Sequence, residues 1–343
     1  KFRYSMIYND IKNDILNDVY KVGSLLPTEQ VLSLKYDVNR STLRKAMQML
    51  ADEGLIEKCP GKGTIVLSSV PVAPESPKEN IITEPFYSSL FNILERDFQK
   101  NGCSLIYTTL DASDNIADKI TALGLSGIVF VSNVVQKHIE YAVSQKIPCV
   151  LVNSYSDKLP SVLSDNRKGA YLAGRYLIEH GHKTVALLAG VRSYLSNQER
   201  TAGFLQAFQE EGLSIPPELI LETGSWLYDA AEKVCLNFFN TYTGEMPTAL
   251  FAFNDRLATG AINAICKTGR TVPDDVSVIG YDNLGYYNII SPRITTVETH
   301  IEAISESTVM HMIWQLNNGS CLPVKVLTPV EVISGETVRS LLC

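Results

Sequence analysis

A cluster of basic side chains lies near the N-terminus, in the stretch DVNRSTLRKAM that runs from Asp37 to Met47. It contains Arg40, Arg44 and Lys45, in a chain whose formal net charge is -7. Residues four apart on a helix are surface neighbours, so the two arginines would share one face. Guanidinium groups placed in this way can bind the phosphates and base edges of a nucleic acid. A solvated basic face is the alternative, and the surrounding elements decide between the two.

A second set of polar residues follows apolar runs later in the chain. Asp165, Asp255 and Asp282 each end or follow a predicted strand, which is where ligands bind in α/β folds. No nucleophile or second base accompanies them, and the chain has no dinucleotide-binding, P-loop or G-x-S-x-G motif. His180 and His182 flank a glycine that predicts a helix end, which favours a turn over a metal site. We therefore expect ligand binding rather than an enzyme, with no metal and no cofactor.

Three helical patterns and a hairpin surround the basic cluster. Isoleucines recur at helical spacing in YSMIYNDIKNDILNDV, and Thr28 is a predicted N-cap for a second helix. A third helix is predicted over residues 39–53, with Gly54 ending it. The segment LIEKCPGKGTIVL alternates, turns and alternates again, which predicts a two-stranded hairpin. This order is typical of a winged helix-turn-helix, whose recognition helix would begin at the basic cluster and enter the major groove.

Charge and composition change at the end of this unit. Residues 1–68 carry ten Lys and Arg against eight Asp and Glu, whereas the rest of the chain carries twenty against twenty-nine. A basic region suits a polyanionic partner, and an acidic region repels one. Residues 69–80 are rich in proline and predict an extended linker. The predicted domains are therefore a DNA-binding unit over 1–68, a linker over 69–80 and a larger domain over 81–343.

The larger domain alternates between strands and helices. Apolar runs rich in β-branched residues are separated by helical segments, the runs being CSLIYTTL, SGIVFVS, PCVLVNS, TVALLAG, TALFAF and VSVIGY. Such alternation is typical of parallel sheets covered by helices. The length suits two lobes with a ligand cleft between them. We predict an α/β protein with an N-terminal winged helix-turn-helix and a two-lobed domain of parallel sheets.

Composition and cysteine spacing exclude several classes of protein. No apolar run approaches the roughly 18 residues of a membrane-spanning helix, and no signal-peptide pattern opens the chain. The seven cysteines are odd in number and never spaced C-x-x-C, which favours reduced thiols. We expect a cytoplasmic protein that does not bind membranes.

Four sequence elements in residues 4–67 together resemble the DNA-binding domain of the GntR family of bacterial regulators. They are LP-[ST]-E, V-x-R-x-T-[VL]-R-x-A-[LM], L-x-x-x-G-[LW]-[IL] and G-x-G-[TS]-x-V. Gln30 stands where members of that family often have Arg or Asn. The residues expected to contact DNA are Gln30, Arg40, Ser41, Thr42, Arg44, Lys45 and, at the tip of the wing, Lys62.

The larger domain resembles the effector domain of the LacI family, whose fold is that of periplasmic sugar-binding proteins. The motifs are EPFYSSL, SDNRKGAYLAGRYLIEHGHKTVALLAG, ERTAGFLQAF, PTALFAFNDRLATGAINAICKTGRTVPDDVSVIGYDN and SPRITTV, across most of residues 84–297. The resemblance implies a set of effector-binding residues, namely Phe86, Tyr87, Arg200, Trp226, Asn254 and Asp282. One departure is the first strand, where NIITEPFY is several residues shorter than the family pattern. The other is Ser334, where the family usually has Arg.

A GntR-type head on a LacI-type body is similar to the architecture of bacterial arabinose repressors, with a proline-rich linker in place of a hinge helix. It implies a homodimeric regulator, most simply a repressor of sugar-utilisation genes, which a small sugar releases from a double-stranded DNA operator. A pentose is favoured by this resemblance alone. The apolar residues of FYSSLFNIL and IEYAV are expected either at the dimer contact or in the core of one lobe.

Three alternatives to a sugar-released repressor remain open. They are an activator, a sugar-binding protein without regulatory output, and an enzyme of the aminotransferase kind fused to a GntR head. The winged helix argues against the second, because a pure binding protein has no use for it. The third would need a longer chain and a Schiff-base lysine in a phosphate-anchoring context.

Overall fold

The structure is a computed structural model that describes residues 3–16, 19–21, 23–52, 55–59, 63–66, 84–111, 113–285, 291–319 and 321–342. The chain divides into two compact units, residues 1–78 and 79–343. The proposed linker over 69–80, Gly54 and Lys62 lie outside the described residues. The predicted domain boundaries and the wing-tip contact of Lys62 therefore stay predictions.

The N-terminal unit is a winged helix-turn-helix, as its sequence pattern predicted. Its elements are α1 (Arg3–Leu16), α2 (Glu29–Lys35), α3 (Arg40–Asp52), β1 (Ile56–Cys59) and β2 (Gly63–Val66). The two strands pair antiparallel, and Leu25 forms a bridge to Ile65 that attaches the chain before α2 to the wing. Thr28 is the N-cap of α2, because its side chain accepts a hydrogen bond from the Val31 N–H. The apolar faces of the three helices meet in one buried core that fixes the direction of α3.

The C-terminal unit contains two lobes, each a sheet covered by helices. The first lobe has α4 (Pro85–Lys100), α5 (Ile116–Leu123), β3 (Ile128–Val131), α6 (Gln136–Ser144), β4 (Cys149–Val152), β5 (Ser161–Ser164), α11 (Ile301–Asn318) and β11 (Lys325–Thr328). The second has α7 (Asn166–Glu179), β6 (Val185–Ala189), α8 (Leu195–Glu210), β7 (Ile220–Glu222), α9 (Tyr228–Thr241), β8 (Ala249–Ala252), α10 (Asp255–Lys267), β9 (Ser277–Asp282), β10 (Thr295–Glu298) and β12 (Glu331–Ile333). The strand orders are β11-β5-β4-β3 and β12-β10-β9-β8-β6-β7, with every pair parallel except β10 and β12. The predicted fold class is confirmed.

The chain crosses between the lobes three times within this unit. The crossings follow β5, β10 and β11, at residues 165, 299–300 and 329–330. His300, in the second crossing, has a φ of 49° in the left-handed region, which permits the sharp entry into α11. Because three short segments join the lobes, the ends of strands from both sheets open toward one cleft.

One predicted strand is wrong. Residues 103–110, CSLIYTTL, form no strand, although their composition is that of a buried one. A strand needs a neighbour for its backbone ladder, and this segment pairs with none of the described strands. Ile106 is instead 53% exposed, and the Tyr107 hydroxyl donates a hydrogen bond to the carbonyl of Phe91 on α4.

The segments FYSSLFNIL and IEYAV place apolar side chains in the core of the first lobe. Phe86, Leu90 and Leu94 of α4 and Ile139 and Ala142 of α6 are all buried there. Of the two interpretations of these segments, the lobe core accounts for these five side chains. Among the described residues, no helix is long and apolar enough to cross a membrane.

Candidate functional site

A cavity lies between the lobes at the carboxyl ends of the strands. The structure places all six effector residues predicted from the sequence around it, together with six others. Its lining residues are Glu84, Phe86, Tyr87, Ser132, Asn153, Asn166, Tyr194, Ser196, Arg200, Trp226, Asn254 and Asp282. Strand ends, helix starts and the loops that join them supply nearly all of these, since parallel strands point their carboxyl ends toward the same edge of a sheet.

Arg200 on α8 is the central cation of the cavity. Its Nε donates to Asn166 Oδ1 at 2.9 Å, one terminal nitrogen donates to the carbonyl of Phe253, and Nη2 donates to Asp282 Oδ1 at 3.3 Å. The guanidinium carbon also lies 3.6 Å from the centre of the Tyr281 ring, a cation–π contact. Three of the five N–H groups of this arginine are therefore engaged within the protein, which holds the side chain rigid.

Asp282 ends β9 in a constrained backbone conformation. Its φ is 101°, in the region that favours glycine, and such strain at a buried polar residue is typical of functional sites. Burial raises the pKa of its carboxyl to about 7, against the lowering effect of Arg200. Asp255 supports the turn that follows, because its carboxylate accepts hydrogen bonds from the Leu284 N–H and the Thr296 hydroxyl. Asp255 thus positions Asp282 rather than facing the cavity.

Trp226 offers an aromatic plane to the cavity. Its ring lies flat on Gly190, where a Cβ would come within 2.6 Å of Trp226 Cε3. Tyr194 packs its edge on the same ring, with 5.8 Å between ring centres. Only a glycine after β6 leaves room for the indole in this place, so the position of the Trp226 ring depends on Gly190.

Asn254 plays a narrower part than its amide chemistry allows. Its Oδ1 caps α10 by accepting a hydrogen bond from the Leu257 N–H at 2.7 Å. The sequence suggested that this side chain would both donate to and accept from a ligand, but its oxygen is already engaged by the Leu257 N–H. The Nδ2 group is the part of Asn254 suited to a ligand, as a donor.

The first lobe supplies Glu84, the buried Phe86, and Tyr87 at the start of α4. Glu84 is the N-cap of that helix, since one carboxylate oxygen accepts from the Tyr87 N–H at 3.1 Å. Burial, together with the nearby charge of Asp282, raises the pKa of the Glu84 carboxyl to about 7. Glu84 therefore brings a second carboxylate to the cavity wall.

Ser132 and Asn153 follow β3 and β4 directly, and both have positive φ values. The Tyr87 phenol lies beside both side chains and interacts with them, although Ser132 Oγ and Asn153 Oδ1 form no hydrogen bond that meets strict geometric criteria with a described residue. Together with Tyr87 they form the polar part of the cavity wall that the first lobe supplies.

The sequence reasoning missed six lining residues. The signal for Ser132 and Asn153 was present, because each stands immediately after an apolar run, at a strand end. Asn166 stands next to Asp165, which proves to be the N-cap of α7. Glu84 directly precedes Pro85 and does not follow an apolar run, so no sequence pattern identified it as a cavity residue.

The predicted DNA-contacting residues lie on α2 and α3 of the N-terminal unit. The exposed ones are Gln30, Arg40, Ser41, Arg44 and Lys45, and Thr42 is half-buried. The helix α3 begins with a side-chain cap, because Asn39 Oδ1 accepts from the Thr42 N–H and from the Ser41 hydroxyl, both at 2.8 Å. This cap leaves Arg40 at the exposed N-terminal turn of the helix.

Two of the basic residues have partners within the unit. Arg44 Nε donates to Glu29 Oε2 at 3.0 Å, which joins α3 to α2 across the turn. Lys45 lies over the ring of Tyr4 on α1, with 4.3 Å to the ring centre. Arg44 therefore lies toward α2 and Lys45 toward the first helix, and both stay exposed.

The histidines considered as metal ligands have other partners. His182 is hydrogen-bonded to the Thr248 hydroxyl and the Arg339 carbonyl, and Gly181 between the two histidines has the positive φ of a helix end. Across the ranges that the structure describes, no cluster of His, Cys, Asp and Glu side chains could hold a metal ion.

Comparison with known families identifies both parts of the chain. Residues 3–66 match the bacterial regulatory proteins of the gntR family. Residues 175–338 match the periplasmic binding protein-like domain.

The chain is also similar to whole repressors. It is 30% identical over 234 residues to the probable HTH-type transcriptional repressor ExuR of Bacillus subtilis, which covers 65% of this chain and 68% of that protein. It is 28% identical over 264 residues to the HTH-type transcriptional repressor PurR of Pasteurella multocida, which covers 75% of this chain and 78% of that protein.

Solved structures share the fold of the larger domain. A LacI family transcriptional regulator from Enterococcus faecium, with bound ribose, has a TM-score of 0.68 at 23% identity and covers 76% of this chain and 96% of its own. The Lac repressor dimer bound to operator and the anti-inducer ONPF has a TM-score of 0.67 at 23% identity, covering 75% of this chain and 91% of its own.

Proposed function

This chain belongs to the helix-turn-helix transcriptional repressors with a LacI-type effector domain, and from that premise we propose that a small sugar bound in the cavity releases it from its operator. The regulated genes would be those for use of that sugar. As a DNA-binding repressor it needs no catalytic chemistry, and the effector acts by favouring one state of the protein.

The observation that carries the proposal is the combination of an aromatic plane with rigid polar groups. A sugar presents apolar C–H faces and hydroxyl groups that both donate and accept. Trp226 is suited to a C–H face, and Arg200, Asn254 and Asp282 are suited to the hydroxyls. The buried Ser132 Oγ supplies a further acceptor or donor. A neutral polyol satisfies this mixed set better than an apolar ligand would.

Among small sugars, we favour a pentose over a hexose as the effector. The Enterococcus faecium regulator was solved with bound ribose, which supports a pentose for a cavity of the same fold. This part of the proposal also rests on the similarity to arabinose repressors.

A homodimer is part of the proposed function. One winged helix covers one half-site, so a two-fold dimer is required to read a near-palindromic operator. The Lac repressor of similar fold was solved as a dimer on its operator. Sedimentation of the full chain at micromolar concentration should give a dimer, and a clean monomer would contradict this part.

The sugar is tested first by thermal shift of the full chain against common monosaccharides and disaccharides. A ligand at a hundred times its Kd adds about 2.7 kcal/mol to the free energy of unfolding, which is a measurable rise in melting temperature. The sugar that stabilises the protein should also release a fluorescent operator, selected from random duplexes with the purified chain, in an anisotropy titration.

Two matched tryptophan variants locate the sugar. Trp226→Phe should weaken the sugar response, whereas Trp314→Phe should not, because Trp314 lies on α11 outside the cavity. Equal loss in both variants, or no sugar that stabilises the protein, would refute the proposal. Stabilisation without release would instead identify a sugar-binding protein without regulatory output.

A further inference from the structure

The cavity wall carries two carboxylates and one guanidinium. Glu84 and Asp282 face the cavity from different lobes, and Arg200 is the single cationic residue that lines it in the described structure. The second carboxylate adds both hydrogen-bond acceptors and negative charge to the cavity wall. Its presence decides what charge a bound ligand can carry.

The positive charge of Arg200 is already offset. Its Nη2 lies 3.3 Å from Asp282 Oδ1, and both side chains are more than nine-tenths buried. A second anion, brought by a ligand, would compete with Asp282 for this guanidinium. Inside a cavity, where screening is weak, like charges that share one cation repel strongly.

Glu84 adds negative charge that no lining residue neutralises. It accepts hydrogen bonds from the backbone N–H groups of Tyr87 and Phe86, which are neutral donors. Arg256 lowers the pKa of Glu84 from a distance, but it does not line the cavity. A carboxylate or phosphate on the ligand would therefore meet Glu84 without a cation between them.

Two polar side chains of the first lobe point in the same direction. Asn153 Oδ1 is an acceptor, and Ser132 Oγ can accept as well as donate; both side chains line the cavity beside the Tyr87 phenol. With Glu84 and Asp282 they make a wall that is rich in acceptors. The ligand groups that satisfy acceptors are hydroxyls and ammonium groups, since carboxylates and phosphates offer only further acceptors.

We propose that the cavity takes uncharged sugars and amino sugars, that it rejects sugar acids and sugar phosphates, and that Glu84 sets this selection. The inference rests on the proposed sugar-binding function and narrows it. In this proposal the negative charge of Glu84 repels anionic ligands. Its role as the N-cap of α4 is independent of this effect.

Matched ligands test the selection by isothermal titration of the full chain at pH 8. The sets are glucose, glucosamine and glucuronate; galactose, galactosamine and galacturonate; and ribose, arabinose and their 5-phosphates. In the set that binds, the neutral sugar or its amine should bind at least about tenfold more tightly than the anionic member. An anionic member that binds as tightly as its parent overturns the inference and leaves the proposed function standing. If no member of any set binds, the proposed function fails and this inference fails with it.

Variants then assign the selection to Glu84. Glu84→Gln should reduce the ratio of neutral to anionic affinity by about tenfold. Glu84→Ser is the second variant, because serine is a good N-cap and keeps the start of α4 stable without the charge. Glu95→Gln removes a carboxylate from the same helix outside the cavity and should leave the ratio unchanged. An unchanged ratio in both Glu84 variants, with normal melting curves, would refute the role of Glu84.

Discussion

Replacing Arg200 with methionine should lower the free energy of unfolding of the effector domain. The size of the loss depends mainly on the Asp282 carboxylate, which loses its cationic partner. Methionine keeps much of the side-chain volume but leaves the Asp282 carboxylate buried and without its cation. Arg200 is 7% exposed and Asp282 is 5% exposed, so water replaces the lost partner only in part. Breaking a buried ion pair on one side costs about 3–5 kcal/mol. The lost hydrogen bonds to Asn166 and Phe253 belong to the same change.

The pH dependence distinguishes this cause from a simple packing defect. Burial already raises the pKa of Asp282 to about 7, and loss of Arg200 raises it further. The stability that a raised folded pKa contributes is full below the ordinary carboxyl pKa and is lost as the pH rises through the folded value. Wild-type Asp282 completes this loss near pH 7, whereas the variant, with a higher pKa, continues to lose stability above it. The Arg200→Met protein should therefore lose most stability at pH 8 and less at pH 6, where Asp282 takes up a proton.

Urea unfolding of wild type, Arg200→Met, Asp282→Asn and the double variant measures this. Both tryptophans, Trp226 and Trp314, belong to the unit over 79–343, so tryptophan fluorescence, excited selectively, reports on that unit alone. The double variant should recover at least about 2 kcal/mol relative to Arg200→Met at pH 8, because no buried charge remains unpaired. Equal stability of the Arg200→Met variant and the double variant at both pH values would refute the reasoning.

Three further predictions concern other parts of the molecule. Gly190→Ala should displace the Trp226 ring and weaken sugar binding by about 1–3 kcal/mol, measured by titration, since its Cβ would overlap the indole. Arg44→Ala should weaken operator binding by about 1–3 kcal/mol if the contact is to a base, or lower the salt slope by about one if it is to a phosphate; unchanged anisotropy curves would contradict it. The melting temperature of the ligand-free wild type should fall relative to Glu84→Gln as pH rises from 5 to 7.5, because folded Glu84, with its pKa near 7, loses its stabilising proton in that range; parallel calorimetric curves would exclude this.

The sequence predicts those features that depend on local pattern or family motif. Thr28 caps a helix because of its own chemistry and position, and the parallel sheets follow from apolar runs alternating with helices. Arg200, Trp226, Asn254 and Asp282 lie around one cavity because the family motifs fix their places in the fold. Local sequence pattern does not predict which residues that are distant in the chain contact one another.

Three features show this limit. The bond from Arg44 to Glu29 depends on how two helices pack, which no spacing rule specifies. The segment 103–110 has the composition of a strand, yet a strand also needs a partner, and composition does not provide one. Glu84 resembles an ordinary helix cap until the fold brings Asp282 near it, and only then does its charge acquire a meaning.

The two lobes contribute different chemistry to the cavity, and this difference supports coupling between ligand and operator. The first lobe offers acceptors, in Glu84 and Asn153, whereas the second offers the aromatic plane of Trp226 and the donors of Arg200 and Asn254, with Asp282 as its acceptor. A sugar can satisfy both sets only while the lobes face one another across it. Its affinity therefore depends on the arrangement of the lobes, and any ligand that binds one arrangement more tightly shifts the population toward it. Three short segments connect the lobes, and in the dimer proposed above a rigid-body shift of the lobes would carry the effect of the ligand to the operator.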